Sequence, residues 1–354
     1  VRELKESAEE LPRHILRAPL RLYFEITRNC NLRCRNCLSS SGRQFDNELS
    51  NQEVLAIIAK MDEDDIPELR ITGGEPTQRP GWQNIIQYAK ERNLAVSLNT
   101  NGYYHNSSFR EDIVQLQVDQ IIVSLDGPKF AHEYLRGKGT FNQTLESIEY
   151  FAKKGCSLRI NTLLRDQTLS YLRDMTSLAS KYNAEMCFIL LRPIGRAIDI
   201  VDRIPSINSL NRAVEEVKNL RVEFPKTKIL TSYDIIQPKP NRITPEIDLT
   251  GCAAALRGCN IDSRGQVECC GFLAELTKEY SPGNVRDHNY SLLSMWRHSP
   301  QMQRFREESQ RINQECVNCN TYTNGCYGTC IAMKVFKQTS IENKDVYCQI
   351  DMER

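Results

Sequence analysis

Three cysteines within eight positions constrain this chain more than any other feature of its sequence. Cys30, Cys34 and Cys37 follow a CxxxCxxC spacing directly after a β-rich run. Three thiolates on one tight loop can hold three irons of a four-iron cluster and leave the fourth iron open to another ligand. A structural zinc site is the alternative, but zinc would need a fourth protein ligand, and no further Cys or His is close in sequence. The spacing therefore favours an iron–sulfur cluster.

The other cysteines concentrate towards the C-terminus. The chain has 354 residues and 14 cysteines, of which nine lie between 252 and 348. Only Cys156 and Cys187 fall between that group and the first three. In a large chain without a secretion signal, cysteines in such number indicate metal ligands rather than disulfides. We therefore expect a second metal-binding region after residue 251.

Charge and hydropathy narrow the range of partners. The formal net charge is +1, from 46 Lys and Arg against 45 Asp and Glu. No apolar run approaches the roughly 18 residues of a membrane span, and the charged start of the chain lacks an apolar signal core. These features predict a cytoplasmic protein, with neither nucleic acid nor a membrane as its partner.

Short β-rich runs alternate with amphipathic helical stretches from residue 20 to 192. The runs are rich in Ile, Leu and Val, as strands buried on both faces are. The strands are predicted at 22–27, 68–72, 95–99, 120–125, 157–164 and 185–191, and the helices at 51–61, 81–92, 109–116, 141–153 and 170–181. Alternation of this kind implies a parallel sheet, and right-handed crossovers would curl six such units into an open barrel. The predicted fold is α/β, a partial (β/α)6 TIM-like barrel.

Composition changes along the chain predict four segments. Residues 1–20 form an N-terminal extension, and 21–220 the barrel with one more helix at 206–220. Prolines from Pro225 to Pro245 indicate a linker over 221–250. Residues 251–354 have many cysteines and little periodicity, as expected of a domain held together by metal.

A second motif ends the second predicted strand, with Gly73, Gly74 and Glu75 followed by proline. Paired glycines let a ligand approach the backbone closely, and a carboxylate there could pair with an ammonium. Together with the CxxxCxxC loop on the preceding strand, this motif resembles the radical S-adenosylmethionine (SAM) superfamily over roughly residues 20–200. The resemblance implies that the open iron binds SAM. Reductive cleavage would then give a 5′-deoxyadenosyl radical that takes hydrogen from an unactivated carbon.

The same resemblance implies the cofactor contacts. Gly73, Gly74 and Glu75 match the element that contacts the amino group of SAM. The remaining candidates lie at the ends of later strands and are Asn99, Asn101, Ser124, Arg136, Asn161 and, facing the adenine, Leu191. Asn36 stands where many family members have an aromatic residue that contacts adenine.

The last cysteines contain a CxxC-x6-C-x3-C run that, taken alone, would equally suit a zinc knuckle. Behind a radical cluster it resembles the SPASM domain, which holds two auxiliary four-iron clusters. By that resemblance the first cluster is bound by Cys252, Cys259, Cys270 (or its neighbour Cys269) and Cys330, and the second by Cys316, Cys319, Cys326 and Cys348. The chain would then hold three [4Fe-4S] clusters, the auxiliary pair serving electron transfer.

Three residues are candidates for the chemistry itself. Cys187, in the sixth strand, is either a small buried hydrophobe or a thiol that donates hydrogen to a substrate radical. Arg192, like Arg196 after it, could bind a substrate carboxylate or peptide backbone, or pair with a surface acid. Asp126 is a candidate proton acceptor, and its alternative role is to orient the cofactor.

Enzymes that resemble this two-part architecture mostly modify peptides or proteins. The expected function is an oxidoreductase that matures a ribosomally made peptide by cross-linking an unactivated carbon. The alternatives are anaerobic formylglycine formation in sulfatases, peptide epimerisation, and tetrapyrrole side-chain modification, whose enzymes share the Pro-x-Gly-Arg stretch at 193–196. A zinc-stabilised interaction protein is the non-enzymatic alternative. Expected partners are the precursor peptide, a reductant such as flavodoxin or ferredoxin, and a separate leader-binding protein, since little sequence precedes the first strand.

Overall fold

A ten-stranded sheet forms the centre of the computed structural model, which describes residues 15–231, 252–310 and 330–338. The strands are β1 Arg21–Glu25, β2 Glu68–Thr72, β3 Ala95–Thr100, β4 Gln120–Ser124, β5 Leu158–Leu164, β6 Glu185–Leu190, β7 Ile229–Thr231, β8 Gly258–Ile261, β9 Gln266–Glu268 and β10 Gly283–Asn284. Their order across the sheet is β10-β9-β8-β1-β2-β3-β4-β5-β6-β7. Every pair from β8–β1 to β6–β7 is parallel, and only β8–β9 and β9–β10 are antiparallel.

The predicted β–α alternation is confirmed. Each of the six predicted strands is present, with ends that differ by two residues or fewer. The helices are α1 Asn51–Glu63, α2 Trp82–Glu91, α3 Ser108–Gln115, α4 Lys129–Arg136, α5 Thr140–Lys153, α6 Leu172–Lys181, α7 Ile207–Glu223, α8 Leu293–His298 and α9 Pro300–Gln310, with a last helix at Ile331–Phe336. Short 3-10 helices follow several strands, including Pro76–Gln78, Asp166–Tyr171 and Gly195–Arg203.

Helix α1 shows how the sequence specifies these elements. Ser50 and Glu53 form a capping box, each side chain accepting a hydrogen bond from the other's backbone N–H. The buried apolar residues Val54, Ile57, Ile58 and Met61 then recur at helical spacing. Burial of each of these side chains contributes roughly 1.5–3 kcal/mol, so the helix is fixed on the sheet by one face.

The helices within the described ranges cover one face of the central strands. Strands β1 to β7 follow one another in order, so right-handed crossovers place their helices on the same side. Burial agrees, because residues of β1, β2, β5 and β6 alternate between fully buried and partly exposed. The expectation of burial on both faces is therefore wrong for these strands. Their second face carries Tyr23, Arg70, Asn161 and Cys187, which are partly exposed in the part of the chain that the structure describes, and we call the space that it faces the lumen.

The cysteine-rich region continues the barrel sheet. Strand β8 pairs with β1, placing Leu22 opposite Cys259. Side chains reinforce the junction. Arg28 donates to Glu275 at 2.6 Å, and Trp296 donates to the carbonyl of Leu16 at 2.7 Å.

The predicted linker begins within regular structure. The last residues of α7 and the whole of β7 lie inside the predicted 221–250 segment, and β7 pairs with β6. The proline signal was misleading there because Ile229 packs into the core while the prolines come before and after the strand. Residues 232–251 and 1–14 lie outside the described residues, so the four-segment division stays a prediction.

Candidate functional site

The three-cysteine loop follows β1 at the carboxyl end of the parallel strands. Backbone N–H groups point at its sulfurs, with Leu32 donating to Cys30 Sγ at 3.4 Å and Ser41 donating to Cys37 Sγ at 3.3 Å. Burial raises the pKa of Cys30 to about 12, so a metal must displace its proton. Hydrogen bonds to sulfur and burial are both properties of iron–sulfur sites, and the loop fits such a cluster.

Residues at the end of β6 hold this loop in place. The Arg196 guanidinium donates to the carbonyls of Cys34 and Ser41, each at 2.8 Å, and its backbone N–H donates to the carbonyl of Cys37 at 3.0 Å. Gly195 lies so close that a Cβ there would come within 2.0 Å of the Leu38 carbonyl oxygen. We call these two residues the Gly195–Arg196 clamp. The hypothesis that Arg196 binds substrate is not favoured, because its donors serve the loop.

Gly73 and Gly74 pack the end of β2 against the segment that enters the loop. Gly74 N–H donates to the Thr27 carbonyl at 2.7 Å, and Glu75 N–H donates to the Asn29 carbonyl at 2.8 Å. A Cβ on Gly74 would lie 2.2 Å from the Asn29 oxygen, and a Cβ on Gly73 would lie 2.6 Å from the Thr27 oxygen. The paired glycines are therefore required by this close backbone approach.

The Glu75 carboxylate organises the end of β3. It is fully buried and accepts hydrogen bonds from Thr77, from Thr100 at 3.0 Å and from Asn101 N–H at 2.8 Å. Burial raises the pKa of Glu75, and these donors oppose the rise. Its pairing with an ammonium stays a prediction, since the carboxylate already has this set of donors.

Asn101 connects β3 to the cysteine loop. Its Nδ2 donates to Asn31 Oδ1 at 2.8 Å and lies 4.0 Å from Cys30 Sγ. Tyr103 N–H donates to Asn101 Oδ1 at 2.8 Å, which fixes the carboxamide. The structure therefore brings this predicted cofactor contact beside the first cysteine.

Three other predicted residues lie side by side across β4, β5 and β6. The strand register places Ser124 opposite Asn161, and Asn161 opposite Cys187. We call Ser124, Asn161 and Cys187 the strand-end row, after Ser124, which ends β4; Asn161 and Cys187 lie within β5 and β6. The carboxamide oxygens of Asn99 and Asn161 are buried with no hydrogen-bond partner among the described residues. Buried polar atoms of this kind are normally satisfied, so a bound ligand fits here. Leu191 is buried just beyond the row.

Asp126 and Arg136 form a buried ion pair next to the cysteine loop. Arg136 Nε donates to Asp126 Oδ2 at 2.6 Å, and Leu163 N–H donates to Oδ1 at 2.9 Å. Burial alone would lower the pKa of Arg136. Asp126 and the thiols of Cys34 and Cys37 outweigh burial and hold the pKa above its usual value. The guanidinium thus lies between Asp126 and the loop.

The ionisation state of Asp126 decides whether it can act as the predicted proton acceptor. Burial alone would raise its pKa, but Arg136 and His132 outweigh burial and hold the pKa below its usual value. The backbone N–H of Asp126 also donates to His132 Nδ1 at 3.2 Å. An ionised carboxylate held this way is a weak base, so the geometry favours the orienting role.

Arg192 lies beside the C-terminal cysteines. Its guanidinium stacks on the Phe272 ring, with Cζ 4.4 Å from the ring centroid. Burial raises the pKa of Cys252 to about 12 and that of Cys270 to about 11, and the charge of Arg192 opposes both shifts. Arg192 therefore connects the end of β6 to the predicted ligands of the first auxiliary cluster.

The structure distinguishes Cys269 from Cys270. Cys270 interacts electrostatically with Cys252 and Cys330, so these three thiols lie together. Cys269 is fully buried, with Sγ 3.4 Å from Met302 Sδ, and it neighbours Cys259 on the β8–β9 hairpin. This arrangement favours Cys270 over Cys269 as the ligand.

Some predicted ligands cannot be placed. Cys316, Cys319, Cys326 and Cys348 lie outside the described residues. Within the described ranges, no three His, Cys, Asp or Glu side chains are close enough to hold one metal ion. The thiolates of a four-iron cluster need not meet at one point, because each of them binds a separate iron.

Sequence reasoning missed several residues that shape the site. Asn31 and Thr100 were not selected, although both flank selected positions, Cys30 and Asn101, and that adjacency was the available signal. His132 gave no signal, because its contact with Asp126 depends on α4, which the sequence did not predict.

Family comparisons agree with this geometry. A model of the radical SAM superfamily matches residues 24–179, and a model of an iron–sulfur cluster-binding domain, SPASM, matches residues 252–320. The chain is 28% identical to mycofactocin maturase MftC of Mycobacterium ulcerans over 339 residues, covering 95% of this chain and 89% of the relative. It is 29% identical to the AdoMet-dependent heme synthase of Oleidesulfovibrio alaskensis over 326 residues, covering 86% of this chain and 81% of the relative.

A solved structure shows the same fold. Streptococcus suis SuiB bound to its precursor peptide SuiA superposes with a TM-score of 0.80 at 18% identity, covering 96% of this chain and 77% of SuiB. In the part of the chain that the structure describes, no helix is both long and apolar enough to span a membrane. The domain matches confirm the predicted resemblance: residues 24–179 form a radical SAM domain, and residues 252–320 match the SPASM iron–sulfur cluster-binding domain.

Proposed function

We propose that this enzyme matures a ribosomally made peptide by oxidative cross-linking at an unactivated carbon. The observation that carries the proposal is the strand-end row. It sets two predicted cofactor contacts and a thiol in one line across β4, β5 and β6, on the strand face that the described helices leave uncovered. Similarity to a peptide maturase along almost the whole chain supports a peptide as the substrate.

The cofactors of this proposal are SAM and three [4Fe-4S] clusters. Cys30, Cys34 and Cys37 would hold the first. The proposed auxiliary ligands are Cys252, Cys259, Cys270, Cys330 for one cluster and Cys316, Cys319, Cys326, Cys348 for the other. When bound with its reduced cluster, SAM supplies a 5′-deoxyadenosyl radical that removes a hydrogen atom from the substrate.

The residues around the loop would bind and orient the cofactor. Backbone groups of Gly73 and Gly74 would bind the amino group of SAM, with Glu75 supporting them. The oxygens of Asn99 and Asn161, which have no partner among the described residues, would accept hydrogen bonds from SAM, and Asn101, Ser124, Arg136 and Leu191 would complete the contacts. Asp126 holds Arg136 in position, which is the role its ion pair favours over proton transfer.

Arg192 has a separate role in this proposal. Its positive charge lies next to Cys252 and Cys270, where it favours the more negative, reduced state of a cluster held by those thiols. An oxidative cross-link removes two hydrogens from the peptide and needs an electron acceptor. Arg192 thus serves the auxiliary cluster, and the hypothesis that it binds substrate is the less favoured one.

Peptide epimerisation is the second candidate, and Cys187 favours it. Burial raises the pKa of Cys187 to about 11, which keeps hydrogen on the sulfur at neutral pH. Its place in the strand-end row lets it face a substrate radical. The Pro-x-Gly-Arg stretch does not favour the tetrapyrrole alternative, because in this structure its arginine holds the cysteine loop.

The proposed partners are a precursor peptide, a reductant such as flavodoxin or ferredoxin, and a separate leader-binding protein. We place the enzyme in the cytoplasm, where such partners meet.

Mass spectrometry of a candidate precursor peptide tests this function. The peptide is one encoded beside the gene, co-expressed with the enzyme and then fragmented. Loss of two hydrogens, with fragmentation blocked between two residues, is the expected result. Unchanged mass with deuterium entering an α-carbon in heavy water would instead indicate epimerisation, and Cys187→Ala should abolish that exchange. No change of either kind contradicts the peptide proposal.

A further inference from the structure

A layer of charged side chains lies in the lumen below the strand-end row. Arg159 is two residues before Asn161 on β5, and Arg70 is two residues before the end of β2. Two residues of a strand span roughly 7 Å, so Arg159 lies about that far below Asn161, towards the amino ends of the strands. We call it the lumen charge layer, and its members are Arg21, Glu68, Arg70, Arg159 and Glu185.

Cations outnumber carboxylates on the β1–β2 side of this layer. Glu68 is shared by Arg21, at 2.5 Å, and Arg70, at 3.3 Å. Both guanidiniums also stack on Tyr23, with Cζ atoms 5.7 and 5.3 Å from the ring centroid. The stacking fixes their positions but leaves one positive charge without a carboxylate of its own.

The β5–β6 side repeats this imbalance. Glu185 is shared by Arg159, at 2.6 Å, and Lys228, at 2.7 Å. Gln120 donates to the same carboxylate at 3.1 Å. Two carboxylates therefore face four cations across the whole layer and its rim.

Arg70 makes the longest ion pair of these cations, at 3.3 Å to Glu68. Its side chain is 11% exposed, and its Nε is buried with no hydrogen-bond partner among the described residues. Burial lowers the pKa of Arg70, and the charges of Arg21 and Arg159 add to that effect. A buried guanidinium with an unsatisfied donor is costly unless an anion pairs with it.

We propose that Arg70 and Arg159 form a carboxylate-binding subsite in the barrel lumen, which anchors the substrate below the strand-end row. A planar guanidinium pairs with a carboxylate through two parallel hydrogen bonds, which fixes orientation as well as position. The substrate carbon next to the carboxylate is then directed towards the strand-end row. This inference deepens the proposed function and rests on it.

The carboxylate could come from two sources, a peptide C-terminus or acidic side chain on one hand, and a tetrapyrrole propionate on the other. Both present the same group to the subsite. The experiment below therefore separates detection of the subsite from identification of the source.

Cys187 provides a built-in probe, because Arg159 and Arg70 both influence its thiol. Iodoacetate and iodoacetamide alkylate the same thiolate, with loss of iodide, but only iodoacetate carries a carboxylate. Their relative rates at Cys187, measured by peptide mass spectrometry on the anaerobic holoenzyme, report local anion binding. Cys156 is the internal reference, since burial alone shifts its pKa.

The iodoacetate-to-iodoacetamide rate ratio should be about tenfold higher at Cys187 than at Cys156 at low salt. It should fall towards the Cys156 value in Arg70→Gln and Arg159→Gln, and stay high in Arg70→Lys. Arg173→Gln, on the outer surface of α6, is the matched control and should change nothing. Three results would contradict the subsite. These are equal rate ratios at Cys187 and Cys156, an unchanged ratio at Cys187 in Arg70→Gln, and no labelling of Cys187 by either reagent.

Competition then identifies the source of the carboxylate. Protection of Cys187 by N-acetylglycine but not by N-acetylglycinamide supports a peptide carboxylate, and protection by coproporphyrin alone supports a tetrapyrrole. Protection by none of them contradicts carboxylate binding. No turnover is needed, so failure here leaves the mass-spectrometric test of the proposed function unaffected.

Discussion

At the scale of single residues, polar side chains beside the cysteine loop are fixed by buried partners. His132 is an example. It is fully buried on α4 and accepts the Asp126 N–H through Nδ1, which requires that nitrogen to be unprotonated. Burial lowers the pKa of His132 to about 4, and the charge of Arg136 adds to the effect.

This shift predicts a pH dependence of stability. The unfolded chain has a histidine pKa of about 6.5, so between about pH 6.5 and pH 4 it binds more protons than the folded chain. The stabilisation is therefore complete above pH 6.5 and is lost as pH falls, by about 2 kcal/mol at pH 5. Unfolding under anaerobic conditions at pH 7 and 5 measures this loss.

His132→Gln should flatten the pH profile, because the carboxamide oxygen accepts the same hydrogen bond without titrating. His105→Gln, on an exposed segment, is the matched control and should keep the wild-type slope. An equal slope in wild type and His132→Gln would show that His132 does not titrate in the folded protein as described.

At the scale of elements, the end of β2 and the loop after β1 depend on one close backbone contact. Gly74 and Asn29 approach until no side chain fits between them. We predict that Gly74→Ala displaces the loop and weakens the first cluster, with about four irons lost per chain. Iron analysis after reconstitution measures this.

Gly155→Ala is the control for glycine replacement. Gly155 has a φ of +72° but nothing within 4 Å of a new Cβ, so its cost is backbone strain of about 1–2 kcal/mol. It should keep full iron content. Equal iron in Gly74→Ala and wild type would contradict the steric role of Gly74.

The sequence predicted the elements that have a local pattern and missed features that depend on tertiary contacts. The six core strands and the helix pattern were predicted well, because apolar runs and amphipathic periodicity are local. Strand β7 and helix α4 were missed, since β7 has three residues next to proline-rich sequence and α4 has eight between Pro128 and Gly137. The resemblance selected Asn99, Asn101 and Asn161, but the shared register with Cys187 and the loop-holding role of Arg196 are tertiary facts.

At the scale of the whole molecule, the end of β6 connects two metal-binding regions. The Gly195–Arg196 clamp holds the three-cysteine loop, and Arg192, four residues earlier, lies beside Cys252 and Cys270. One short segment therefore contacts both regions, while the sheet itself is continuous through the pairing of β1 with β8.

Arg192 should tune the first auxiliary cluster. Replacing it with Gln removes a positive charge that favours the reduced state, so the midpoint potential should fall, by roughly 60 mV for a tenfold change in the equilibrium. A redox titration followed by electron paramagnetic resonance measures it. Arg212→Gln, at an exposed position of α7, should leave the potential unchanged, and a shift of equal size there would contradict a local effect.

Comparison of wild type with the Cys30→Ala, Cys34→Ala, Cys37→Ala triple variant tests the central claim most directly. Both proteins are reconstituted anaerobically, and iron content and 5′-deoxyadenosine formation from SAM are measured on the same samples. We predict about twelve irons per chain in wild type and about eight in the variant, with 5′-deoxyadenosine formed only by wild type. Cleavage of SAM by the variant, or equal iron in the two proteins, would contradict the account.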